Sequence, residues 1–97
     1  MATYLMLFRL TQQGIQKIKE APTRVQAAKD TCRALGGEVK QFNFLMGQYD
    51  SFFLLEAPSD EIAAKIALAI SSRGNVETET MRAFTETEFK ELVGGLP

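Results

Sequence analysis

The sequence predicts an α+β domain in which strands and helices follow the order βαββαβ, with a further short helix at the C-terminus. Three observations predict it. Apolar residues switch between strand-like alternation and helix-like spacing along the chain. Residues that cap or break helices (Thr11, Gly36, Pro58, Gly74 and Thr85) stand at those switches. The length of 97 residues suits one modest core, so residues 1–97 are expected to fold as a single domain.

Residues 3–10 form a continuous apolar, β-prone stretch, expected as a strand buried on both faces. Thr11 is placed to cap a helix whose apolar positions recur at Ile15, Ile18, Val25, Ala28, Cys32 and Leu35. Pro22 lies inside that stripe. It removes a backbone hydrogen bond and crowds the preceding turn, so a kink or restart is expected near residues 19–23. Gly36 and Gly37 end the helix.

The segment EVKQFNFLM alternates, with Phe42, Phe44 and Met46 on one side and Gln41 and Asn43 on the other. Gly47-Gln48 fits a two-residue hairpin turn with glycine first. SFFLLEA is the third strand, and Pro58 stops it. Ser59 can cap the next helix, whose positive N-terminal end is favoured by Asp60 and Glu61. Ile62, Ala63, Ile66, Ala67 and Ile70 make its apolar stripe, and Gly74 closes it. NVETETMRAF alternates as a half-exposed edge strand carrying acidic charges, among them Glu77 and Glu79. TETE, Thr85 to Glu88, is a capping box opening the last helix through Phe89, Leu92 and Val93. This order of elements is the ferredoxin-like pattern, with four antiparallel strands in the order 4-1-3-2.

Composition excludes several functions. A formal net charge of −1 leaves no electrostatic footprint for nucleic acid. There is no histidine, so the commonest general base and the Ser-His-Asp and Cys-His constellations are absent. One cysteine without histidine cannot build the usual zinc site, and no glycine-rich nucleotide motif is present. No cofactor is expected. Cys32 lies on the helical stripe and reads as core packing, as do Met6, Met46 and Met81. MATYLMLFRL has no basic leader region and too short an apolar run for a membrane span, so the expected location is cytoplasmic, with no membrane partner.

Three segments, MATYLMLFRLTQQGIQKIKEAPTR, MGQYDSFFLLEAP and GNVETETMRAFTE, together resemble the GYD-domain family nearly from end to end. The signature falls on Gly47, Tyr49 and Asp50, with Gln48 in the variable slot. The resemblance implies a ferredoxin-like fold of the dimeric α+β barrel kind. It implies no established activity and carries no catalytic roles to transfer.

In this topology the first and third strands are central, and antiparallel register pairs Thr3 with Glu56, Leu5 with Leu54, Leu7 with Phe52 and Arg9 with Asp50. Gln41, Asn43 and Leu45 join that face. Tyr4, Met6, Phe8, Phe42, Phe44, Phe53 and Leu55 share the other, which suits the helices. One chain has too few helices to cover both. Leu5, Leu7, Phe52 and Leu54 are therefore the candidate interface of a homodimer or higher oligomer packed sheet to sheet.

Arg9, Gln41, Asn43, Tyr49 and Asp50 would then line or rim the space between sheets, as candidate ligand-binding residues. Asp50 and Arg9 have a structural reading, a cross-strand ion pair, and a functional one, in which Arg9 grips an anion while Asp50 orients it. Tyr49 is either a packed turn aromatic or a hydroxyl donor. The functional expectation is a small-molecule-binding or interaction module acting as a homo-oligomer. The alternative is a cofactor-free enzyme using Asp50 or Tyr49 as acid or base.

Overall fold

Pro22 decides how the first helical region is divided. In the computed structural model, which describes residues 1–97, strand β1 (Ala2–Leu10) leads into a short helix α1 (Gln12–Gln16). A single 3-10 turn, Ile18–Glu20, follows, and α2 (Ala21–Ala34) restarts with Pro22 in its first turn. Proline is tolerated there because the first helical N–H groups lack partners in any case. The chain continues through β2 (Glu38–Phe44), β3 (Ser51–Ala57), α3 (Asp60–Ser71), β4 (Val76–Ala83) and α4 (Glu86–Gly94). The caps are those expected. Thr11 accepts from Gly14 N, Ser59 from Ile62 N, and Thr85 and Glu88 form a reciprocal capping box.

The strands stand in the order β2-β3-β1-β4, all antiparallel, which is the expected 4-1-3-2 counted from the opposite edge. Thr3 faces Glu56, Leu5 faces Leu54 and Leu7 faces Phe52, as expected. On the other side of β1, Leu5 faces Met81, Leu7 faces Glu79 and Arg9 faces Glu77. The β2–β3 register shifts between Val39 and Gln41, where Lys40 is the extra residue of a bulge. The shift leaves Gln41 opposite Leu54 and Asn43 opposite Phe52, on the expected face.

The core lies between one face of the sheet and the two long helices. Met6 and Phe8 of β1 and Phe53 and Leu55 of β3 meet Cys32 of α2 and Ile66 of α3. Phe53 contacts Phe8 edge to face at 4.9 Å between centroids, and Phe42 at 5.9 Å. Tyr4, also buried, donates its hydroxyl hydrogen to Asp60 and so ties β1 to the start of α3.

Four expectations are corrected. Burial along β1 alternates, so the strand is covered on one face only, and Leu5 and Leu7 are half-buried. Met46, in the loop after β2, is exposed rather than packed, whereas Phe44 keeps the expected helix-side face and is 66% exposed only because it ends β2 at the sheet edge. The hairpin does not turn in two residues. Leu45 N donates to Asp50 O, so residues 46–49 form a four-residue loop in which Gly47 takes a φ of 146°. The fourth is Asp50, which bonds to Leu10 N instead of pairing with Arg9.

Candidate functional site

The β2–β3 loop and the end of β1 bring two of the five candidate polar residues, Arg9 and Tyr49, together at one end of the sheet. Tyr49 donates its hydroxyl hydrogen to the Glu79 carboxylate, which β4 presents next to Leu7. Arg9 places its guanidinium over the Tyr49 ring, 4.9 Å from the centroid, and Nε donates to Gln48 O at 3.3 Å. The hydrogen bond to Glu79 holds the Tyr49 phenol above its ordinary pKa, with desolvation and the carboxylate charge adding to it and Arg9 opposing it. Tyr49 is therefore held as a neutral donor rather than a base. Further along this open face, Gln41 Nε2 donates to Asn43 Oδ1 at 2.8 Å.

Asp50 does not join them. Its carboxylate Oδ2 accepts from Leu10 N at 2.7 Å, and its own N–H donates to Phe8 O at 2.8 Å. Phe8 is also the register partner of Ser51. Two successive residues thus oppose one, which is a bulge, and the one-residue slip carries Asp50 to the helix side. The expected Arg9–Asp50 ion pair is absent, since the ion pairs are Lys40 with Glu38 and Glu56, Arg82 with Glu88, and Lys90 with Glu86. Arg9 meets the aromatic ring of Tyr49 instead.

On that helix side lies a cavity of about 290 Å³ that the candidate residues, Asp50 excepted, do not reach. Phe8, Phe42 and Phe53 of the sheet and Val25 and Ala28 of α2 form its apolar walls. Arg24, Arg73, Asp50, Ser51 and Asn75 supply the polar lining. The arginines escaped sequence reasoning because the restart at Ala21 and the loop after α3 set their placement, and neither position carries a motif. Proximity of Arg24 to the buried stripe at Val25 and Ala28 was the one available signal.

The interface candidates Leu5, Leu7, Phe52 and Leu54 share the open face and are each half-buried within the single chain. No helix packs on them. Phe84, Phe89, Leu92 and Val93, at and beyond the end of β4, add further apolar side chains that are about half exposed.

The GYD domain matches residues 4–93 of the chain. The chain belongs to the GYD-domain family. This GYD domain is 30% identical over 84 residues to the glutamine synthetase and cystathionine beta-lyase binding protein of Thermus thermophilus, covering 86% of the chain and 88% of that relative. A crystal structure of a Thermus thermophilus protein superposes with a TM-score of 0.57 at 28% identity, covering 88% of this chain and 95% of that one. The 5-chloro-2-hydroxyhydroquinone dehydrochlorinase of Burkholderia phenoliruptrix, in complex with 2,5-dihydroxybenzoquinone, superposes with a TM-score of 0.61. It covers 88% of this GYD domain and 96% of that chain at 14% identity, a likeness of fold alone. The fold of the GYD domain is ferredoxin-like, of the α+β barrel class.

Proposed function

We propose that this GYD domain is a homo-oligomeric interaction module. Two copies pack sheet to sheet through Leu5, Leu7, Phe52 and Leu54, and the assembly binds other proteins. The observation that carries this reading is the open sheet face: Leu5 lies opposite Leu54, and Leu7 opposite Phe52, on the two central strands with no helix over them. Full burial of such a side chain is worth about 1.5–3 kcal/mol. These four are already half-buried, so closing the face would still gain a part of that at each, a useful sum beside the roughly 5–15 kcal/mol stability of a domain. A patch built on one pair of strands is self-complementary about a twofold axis, so a second copy is the simplest cover.

The relative named for binding glutamine synthetase and cystathionine beta-lyase supports folded enzymes as the class of outside partner. Phe89, Leu92 and Val93 of α4, about half exposed and outside the Leu5, Leu7, Phe52 and Leu54 patch, suit such a partner. Arg9, Gln41, Asn43 and Tyr49 would sit at the rim between the sheets. The alternative reading is a cofactor-free enzyme using Asp50 or Tyr49 as acid or base. It would place the two residues in separate sites, since Asp50 lines the helix-side cleft while Tyr49 bonds to Glu79.

Sedimentation at micromolar concentration tests the self-association. A dimer that Leu54→Glu converts to monomer or unfolds is the expected result, and a monomeric native protein overturns the reading. Binding of purified glutamine synthetase, lost on Phe89→Ser in the intact dimer, tests the partner class.

A further inference from the structure

We infer that the cleft between α2 and the helix-side face of the sheet binds a small amphipathic anion, an apolar body of one or two aromatic rings carrying a single carboxylate. This inference does not rest on self-association, which uses the opposite face. The cavity of about 290 Å³ falls at the lower end of small-molecule sites, which run from roughly 300 Å³ upward. Its apolar wall includes Phe44 and Ile18, respectively 66% and 42% exposed, and the ring system of a bound molecule would cover both.

The polar lining selects the charge. Arg24 donates to two neutral carbonyls, Gly14 O at 2.9 Å and Lys17 O at 3.1 Å. Arg73 donates to the Thr31 hydroxyl at 2.6 Å. Neither guanidinium takes part in an ion pair, so each keeps its full charge and spare N–H donors. Asp50 is the one acidic group of the lining, and its Oδ2 is already engaged by Leu10 N. Two guanidiniums against one occupied carboxylate leave the site net cationic. A carboxylate is the matching head, because planar guanidinium recognises it with paired hydrogen bonds.

The test compares a naphthoate with its uncharged naphthamide, two probes of the same apolar body, by titration calorimetry and amide NMR. The expected result is naphthoate binding about tenfold tighter than naphthamide, with amide shifts centred on Ala28, Ser51 and Val76. Arg73→Gln removes most of that preference by weakening naphthoate far more than naphthamide, while Arg73→Lys restores part of it. Equal affinity for the two probes, no binding of either at millimolar concentration, or shifts centred on Leu5, Leu7 and Leu54 overturns the inference. Should Arg73→Gln fail to fold, the preference of the native protein and its decline with added salt decide the matter. A preference that salt leaves unchanged counts against it.

Discussion

The Asp50 carboxylate grips the Leu10 backbone: Leu10 N donates to Asp50 Oδ2 at 2.7 Å, just beyond the point where the β1–β3 ladder ends. With its own N–H on Phe8 O at 2.8 Å, Asp50 clasps β1 on both sides of Arg9. The aspartate before SFFLLEA is therefore a clamp that closes the sheet where regular pairing stops and the turn into α1 begins. It also gives the helix-side cleft its acidic wall. A hydrogen bond to a charged acceptor is worth about 1.5–3 kcal/mol.

Asp50→Ala should lower stability by about 1–3 kcal/mol, since it leaves the Leu10 N–H without its acceptor. Asp50→Asn keeps an oxygen in place and should cost less. Urea unfolding of the two variants measures this. If Asp50→Ala unfolds at the native midpoint, the clamp is not a stabilising contact.

Cys32 gives a pH dependence. Burial pushes its thiol from 9.0 up to about 11, because a thiolate among Ile66 and Phe53 would lose its solvation. Between those values the unfolded thiol gives up its proton and the folded one keeps it, so the unfolded state binds fewer protons. Stability is then complete below about pH 9 and falls as pH rises towards about 11. Cys32→Ala should lose this part of the alkaline decline, as followed by denaturant titrations across that range. The native thiol should also resist alkylation until the protein unfolds.

The parts of the fold legible in the sequence were those written in alternation. Leu5, Leu7, Phe52 and Leu54 stand two apart on each strand, so the β1–β3 register and its two faces could be read from residue type. Pro22 marked the helix restart because its ring allows only a first-turn position. The bulge at Asp50 and Ser51 was not legible, since an inserted residue in a polar loop interrupts no apolar pattern. That single residue moved Asp50 from the expected ligand list to the opposite face and left Tyr49 as the partner of Arg9. Glu79 could not be placed without the β4 register. The helix-side cleft depends on how α2 sits over the sheet, which spacing alone does not encode.

Ile66 is fully buried at the centre of α3, against Leu55, Phe53 and Cys32 in the core. Ile66→Ala should cost roughly 2–5 kcal/mol through lost burial and the space left behind. Thermal or urea unfolding checks it, and a loss below about 1 kcal/mol would mean the core repacks freely around this position.

Gly14 offers the sharpest local test. A Cβ there would lie 2.1 Å from Asn75 O and 3.2 Å from Leu10 Cδ2. The same carbonyl accepts from Thr11 N at 3.1 Å, and Thr11 Oγ1 donates to Gly74 O at 2.6 Å, so α1 is pinned against the entry to β4. A methyl group cannot enter without separating α1 from Asn75. Helix propensity alone favours Gly→Ala by up to about 1 kcal/mol, and the overlap should reverse that sign, giving a net loss of about 1–3 kcal/mol. Gly94, at the end of α4, is the control, because nothing lies within 4 Å of its added Cβ. Gly94→Ala should be neutral or slightly stabilising in the same urea titration. Equal midpoints for the two variants would show that α1 does not rest on Asn75 and that the helix is free to move away from the sheet.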